Sequence, residues 1–261
     1  MSERTLLGAW ISPYFSLAAQ ILRESELDFA YVRVSPFTGE SRGASHLAHN
    51  PLGKVPALID GTDATVSESL AIGRYLARAY PSARGFYPSD SAAACARIDT
   101  LCDYINFSIG GPFFTWFVVG AHFPIAWRFG TQRESAISSQ WAGMLVNGEL
   151  GRLLDACQPS PCLLGDAPVL ADFQLFYILE HGRAMARLVG DPSFDLAARD
   201  ERLDAFYAHI AARPATQWVL GQRETEFEES RREYFEEMEP GFRAMIEGTR
   251  PFLEMMFGHP V

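Results

Sequence analysis

A proline at the head of a strand is the most restrictive feature of this chain. Val55–Asp60 (VPALID) reads as one strand, Asp60-Gly61 as a tight turn and Ala64–Ser67 (ATVS) as the returning strand, which predicts a β-hairpin. Pro56 has no N–H to give a ladder, so it belongs at an edge or a strand start. Its position is useful if the Val55–Pro56 bond is cis, because the chain then turns and Val55 keeps its backbone groups for a ligand. An ordinary edge-strand proline is the competing reading, and the residues alone leave both open.

The flanks extend this unit. Thr5–Trp10 has the length of a strand, and Pro13 suits the first turn of a helix, where its missing N–H costs nothing. Leu17, Ala18, Ile21 and Leu22 then recur at helical spacing to about Arg23 or Glu24. Phe29–Val34 reads as a second strand, so the order predicts a right-handed parallel βαβ unit. After the hairpin, Ser67 is placed to cap a helix that begins near Glu68 and carries Leu70, Ile72, Tyr75 and Leu76.

Pro81–Pro88 reads as a linker, and beyond it strand signals fade. Helices are expected at 91–109, 113–122, 133–157, 170–188, 200–213, 224–238 and 242–257. Gly110-Gly111-Pro112, Pro159, Pro161, Pro168, Pro192, Pro214 and Pro240 separate them. Two domains are predicted: an α/β unit over 1–81 and an all-helical unit over 89–261 with an extended tail.

Composition excludes several functions. A net charge of −10 disfavours a general nucleic-acid binder, which needs a basic surface. No apolar run approaches the ~20 residues that span a bilayer, and MSERTLLGAWISPYF lacks the pattern of a secretory signal. Cys95, Cys102, Cys157 and Cys162 form no CxxC pair, so free thiols in a reducing, cytoplasmic compartment are expected. The six histidines show no metal-ligand spacing, and no metal is expected.

Two sets of residues carry chemistry. Glu68 and Ser69 stand at a helix start, where backbone N–H groups and the serine hydroxyl attract a carboxylate and Glu68 pairs with an ammonium group. A zwitterionic α-amino acid end fits such a place, although a Ser-Glu-Ser start also serves as a simple cap. Ser12 ends the loop before Pro13. Its hydroxyl and the helix N-terminus converge where they would favour a thiolate, and an N-cap is the plainer role for the same residue.

Asn50-Pro-x-Gly-Lys-Val-Pro56, a hairpin, and then Glu68-Ser-x-x-Ile72 resembles the glutathione-binding signature of the glutathione transferase family. The resemblance covers about residues 5–220 and is strongest in the N-terminal domain. It implies a thioredoxin-like N-terminal domain, an all-α C-terminal domain, glutathione as co-substrate and a homodimer. It further implies that Val55, before Pro56, pairs its backbone with the cysteinyl unit, that Glu68 and Ser69 hold the γ-glutamyl end, and that Lys54 touches the tripeptide. Trp10-Ile11-Ser12-Pro13-Tyr14 resembles the serine-type members (tau, theta and zeta-like), which implies that Ser12 activates the thiol, with Tyr14 and Ser16 as substitutes.

The chain also departs from the family. Leu17 replaces a helix-one Arg or Lys, Gly53 replaces a contacting His or Lys, and Val169 replaces the hydroxyl residue that caps a helix ahead of Asp172. The lost cap should cost about 1 kcal/mol unless another group serves. Phe107, Phe113, Phe114, Trp116, Phe117, Phe123, Trp127 and Phe129 crowd the region that borders the second-substrate pocket in this fold. Two or three of them are expected to reach an apolar or aromatic electrophile, and the rest to pack in the core. Phe227, Tyr234, Phe235 and Met238 share one helical face of the tail, which is expected to pack on the helical domain. A transferase is the leading reading; the alternative is a non-catalytic protein-binding module of the same fold.

Overall fold

The structure, a computed structural model, describes residues 3–114 and 132–238. β1 (Arg4–Gly8), α1 (Pro13–Glu24) and β2 (Ala30–Arg33) form the expected parallel unit. A short helix, α2 (Ala44–Leu47), precedes the hairpin of β3 (Ala57–Asp60) and β4 (Ala64–Ser67), and α3 (Ser69–Ala79) closes the domain. The sheet order is β2-β1-β3-β4, with β3 antiparallel to both its neighbours. This is the thioredoxin-like arrangement that the strand order predicted.

The helical region contains α4 (Ala92–Tyr104), α5 (Gln132–Cys157), α6 (Leu170–Val189), α7 (Glu201–Ala211) and α8 (Pro214–Glu233). α4 continues as a π-helical stretch over Ile105–Gly110. One buried cluster runs through both regions, from Leu6, Phe15 and Ile21 to Phe173, Tyr177 and Ile210. At Gly73 the two approach tightly, since a Cβ there would lie 2.6 Å from Leu170 on α6.

The structure corrects or refines three local expectations. Ser67 ends β4 rather than capping α3; Glu68 is the N-cap and makes no side-chain capping bond. The segment Pro81–Pro88, read as a linker, contains a 3₁₀ turn over Pro81–Phe86 with Ala83 buried, a detail the sequence did not predict. Pro214 separates α7 from α8 as expected, but it occupies the first turn of α8, which therefore begins ten residues before the expected start at 224.

Val169 makes no capping bond, but Asp172 keeps its own half of the capping box. It accepts from the N–H of Val169 at 2.8 Å and of Leu163 at 2.7 Å, which anchors the preceding loop to the first turn of α6. Burial lifts the Asp172 carboxyl to about 6, opposed by these backbone bonds. All four cysteines are free, and burial raises Cys102 and Cys162 to about 12, which makes both inert. Among the described residues no helix is long and apolar enough to cross a membrane. The expected helix at 242–257, and Trp116, Phe117, Phe123, Trp127 and Phe129, lie outside the described residues.

Candidate functional site

The loop Ala9–Ser12 leaves β1 and delivers Ser12 to the N-cap of α1, where its Oγ accepts from the N–H of Phe15 at 3.3 Å. The hydroxyl is the acceptor in that bond, so its proton stays available as a donor. Ser12 is buried but lines a cavity of about 330 Å³ together with Tyr14, Phe37, Arg42, Lys54, Val55, Phe114 and His181. The capping role and a donor role toward the cavity are thus compatible in one side chain.

Ser16 cannot substitute for it. Its hydroxyl is fully buried, donates to the Trp10 carbonyl at 3.0 Å and accepts from Arg223 at 2.9 Å. Tyr14 does line the cleft. Burial, reinforced by the Glu68 charge, pushes its phenol up to about 12, so it stays a neutral donor.

Leu17, where a cation was missing, is buried in the core. A guanidinium reaches the same loop from α8 instead. Arg223 donates to the carbonyls of Trp10 at 2.6 Å and Ile11 at 3.4 Å and faces Glu180 at 3.5 Å. Three positions on, Glu226 accepts from the Trp10 N–H at 3.3 Å and from the Tyr31 hydroxyl at 2.6 Å. Glu233 accepts from Ser35 and Arg33 at 2.7 and 2.8 Å. The tail helix, expected to pack on the helical domain, packs on the thioredoxin-like domain as well, through these polar residues of α8.

The loop before β3 is built around the Lys54 carbonyl. It accepts from Asn50 at 2.6 Å and bonds His46 Nε2 at 2.8 Å, while the Asn50 carbonyl oxygen accepts from the Leu52 N–H at 3.1 Å. Gly53 completes the turn at φ +64°, which a side chain would adopt only with strain. The Val55–Pro56 bond is cis, and Val55 lies just outside the ladder, which starts at Ala57.

A second cavity, of about 270 Å³, adjoins the first: both are lined by Tyr14, Lys54 and Val55. The second adds Pro56, Glu68, Ser69, Asn106 and Gln174. Glu68 holds φ +68°, an uncommon value for a side-chain-bearing residue and one met most often at functional sites. Ser69 follows it in the first turn of α3, whose backbone donors have no partner within the helix. The cleft is therefore apolar at the Ser12 end and polar at the Glu68 end. All six candidate residues, Ser12, Lys54, Val55, Pro56, Glu68 and Ser69, line it.

Of the described aromatics, Phe113 is core, Phe107 is exposed and Phe114 lines the cleft, stacked between Tyr14 (5.6 Å) and His181 (4.8 Å). His181 and Gln174 were not foreseen. They sit seven residues apart on α6, and the available signal was a polar pair at two-turn spacing flanking the apolar run Leu175–Leu179. Burial, with the charge of Arg223, lowers the His181 imidazole to about 3 against a bond with the Ile11 backbone, so the ring is neutral. Among the described residues no cluster of His, Cys, Asp or Glu is arranged to hold a metal ion.

Residues 2–78 match the family model of the glutathione S-transferase N-terminal domain. The chain is 40% identical over 95 residues to glutathione S-transferase 3 of Zea mays, a match covering 36% of this chain and 42% of that protein. It thus spans less than half the length of this relative. A glutathione S-transferase of Hyoscyamus muticus is 29% identical over 221 residues, covering 80% of this chain and 94% of that one. Among solved structures, a glutathione transferase homologue from Sulfitobacter with bound glutathione aligns with a TM-score of 0.64 at 24% identity, over 85% of this chain and 99% of that one. That likeness speaks to the fold.

Proposed function

We propose that the chain, whose residues 2–78 match the glutathione S-transferase N-terminal domain, is a glutathione transferase that binds glutathione and transfers it to an apolar or aromatic electrophile. The observation that carries the reading is the two-part cleft, whose polar and apolar halves meet at Tyr14, Lys54 and Val55. In this reading residues 1–81 are the glutathione-binding unit and 89–261 the helical unit that walls the second-substrate side.

Glu68 and Ser69 receive the γ-glutamyl end, ammonium to carboxylate and carboxylate to the first turn of α3. The backbone of Val55 pairs with the cysteinyl unit, and Lys54 lies beside the tripeptide. This directs the thiol to the apolar half. There the Ser12 hydroxyl donates to the sulfur, and the N-terminus of α1 adds its positive end, so the thiolate is favoured. The sulfur attacks an electrophilic carbon, a C–S bond forms, and a halide leaves with the bonding pair or an opened epoxide oxygen takes up a proton. Phe114, Tyr14 and Phe37 provide the apolar wall that such a carbon skeleton needs.

Four free thiols suit the cytoplasm, and detoxification of reactive electrophiles is the corresponding role. A two-fold homodimer is the assembly we assign, being the commonest closed symmetry. Retention on immobilised glutathione, elution by the free tripeptide and turnover of an activated aryl halide test the reading together. Retention without turnover of any electrophile class would favour the protein-binding module instead.

A further inference from the structure

We propose that Gln174, on α6 of the helical domain, is a ligand-binding residue whose amide reads the zwitterionic α-amino acid end of the molecule held at Glu68 and Ser69. This rests on the reading of the cleft as a glutathione site. Gln174 is 3% exposed, and neither its amide nitrogen nor its carbonyl oxygen has a hydrogen-bond partner among the described residues. It lines the polar cavity opposite the residues that the thioredoxin-like domain supplies. A buried primary amide with both ends unpaired is costly, and native cores seldom keep one without a use.

The rest of the molecule shows how this sequence treats a glutamine with a purely structural role. Gln20, fully buried on α1, donates to Glu24 and Thr216 at 2.9 Å each and accepts from Tyr177 at 2.7 Å. Gln174 is nearly as buried and makes none of these. Its surroundings specify the missing partner. Glu68 offers a carboxylate, while Ser69 and the start of α3 offer donors, so an ammonium and a carboxylate on one carbon match the two sides. A primary amide presents an acceptor and two donors without net charge, and so serves both groups at once. A carboxylate or an amine at 174 would serve one and repel the other.

The test compares Gln174→Met, which keeps length and removes polarity, with the parent. Calorimetry would measure affinity for glutathione, for glutaryl-Cys-Gly, which lacks the ammonium, and for 4-aminobutanoyl-Cys-Gly, which lacks the carboxylate. Melting of the unliganded protein would be followed alongside. Glutathione should bind the variant about tenfold or more weakly, and each analogue should lose less than that. The unliganded variant should melt at or above the parent, because an unpaired buried amide has been removed. Gln174→Glu is the second variant, and should weaken glutathione more than the analogue without a carboxylate. Unchanged glutathione affinity in Gln174→Met, or equal losses for all three ligands, would overturn the inference. A parent without glutathione affinity would instead overturn the reading of the cleft.

Discussion

Two polar regions share the loop Ala9–Ser12, and their side chains follow opposite rules. Between α1, α6 and α8 the buried Gln20 and Arg223 pair within the chain: Gln20 with Glu24, Thr216 and Tyr177, and Arg223 with Trp10, Ser16 and Glu180. Glu24 in turn takes a two-point contact from Arg213 at 2.6 and 2.7 Å. In the cleft the polar groups are left open: the Ser12 proton, the first turn of α3, and both ends of the Gln174 amide. Gln20 is held by partners within the chain, whereas Gln174, nearly as buried but lining the cleft, is left for a ligand to complete.

The strongest challenge to this contrast is removal of its most connected member. Arg223→Ala strips donors from three groups on the Ala9–Ser16 segment and takes from Glu180 its buried cation, so it should destabilise the fold by about 3–5 kcal/mol in chemical denaturation. A loss below 1 kcal/mol would mean that the seam does not hold the loop. Gln20→Met should come next, at about 2–4 kcal/mol, because the Tyr177 hydroxyl and Thr216 lose buried partners. A stability gain there, as expected for Gln174→Met, would erase the distinction between the two glutamines.

On the cleft side, Glu68→Ala should cost about 1.5–3 kcal/mol of glutathione affinity by calorimetry and little stability, since Glu68 is exposed and caps nothing. Unchanged affinity in a folded variant would remove Glu68 from the site.

The smallest effect concerns pH. Asp172 has a folded value of about 6, above the ordinary carboxylate range, so the folded state binds the proton more tightly than the unfolded chain does. Its contribution is therefore present below about pH 4 and is lost as pH rises through 6. Measured against Asp172→Asn, which does not titrate, the parent should lose ~2 kcal/mol between pH 4 and 7. The opposite slope would show that the backbone bonds of Val169 and Leu163 dominate over burial.

The legible parts of the sequence were those governed by local rules. The hairpin, the Pro13 helix start and the order βαβ-ββα depend on turn chemistry and short-range periodicity, and the strands and α1 fall where these placed them. The cleft residues were legible because Pro56 and Glu68-Ser69 flank the hairpin at a spacing that carries the family resemblance. α8 was misread at its start, because Pro214 reads as a separator in the sequence and serves as a first-turn residue in the structure. Its contacts with the thioredoxin-like domain, where Arg223, Glu226 and Glu233 reach Trp10, Tyr31, Arg33 and Ser35, depend on long-range packing that no local pattern shows. Ser67 was misread as a cap because propensity cannot foresee the positive φ of Glu68. Gln174 and His181 depend on tertiary contacts between α6 and a cleft that no local pattern announces.

The central claim is that Ser12 stabilises a glutathione thiolate, and ultraviolet titration of the bound thiol tests it most directly. The free thiol titrates near ~8.5, and in the parent complex it should ionise at clearly lower pH. In Ser12→Ala the bound thiol should move back up while glutathione affinity stays nearly intact, and turnover should fall by ~10²–10³. A parent complex whose thiol titrates like free glutathione would contradict the claim. So would a lowered value that survives Ser12→Ala, which would transfer the role to Tyr14 or to the backbone at the start of α1.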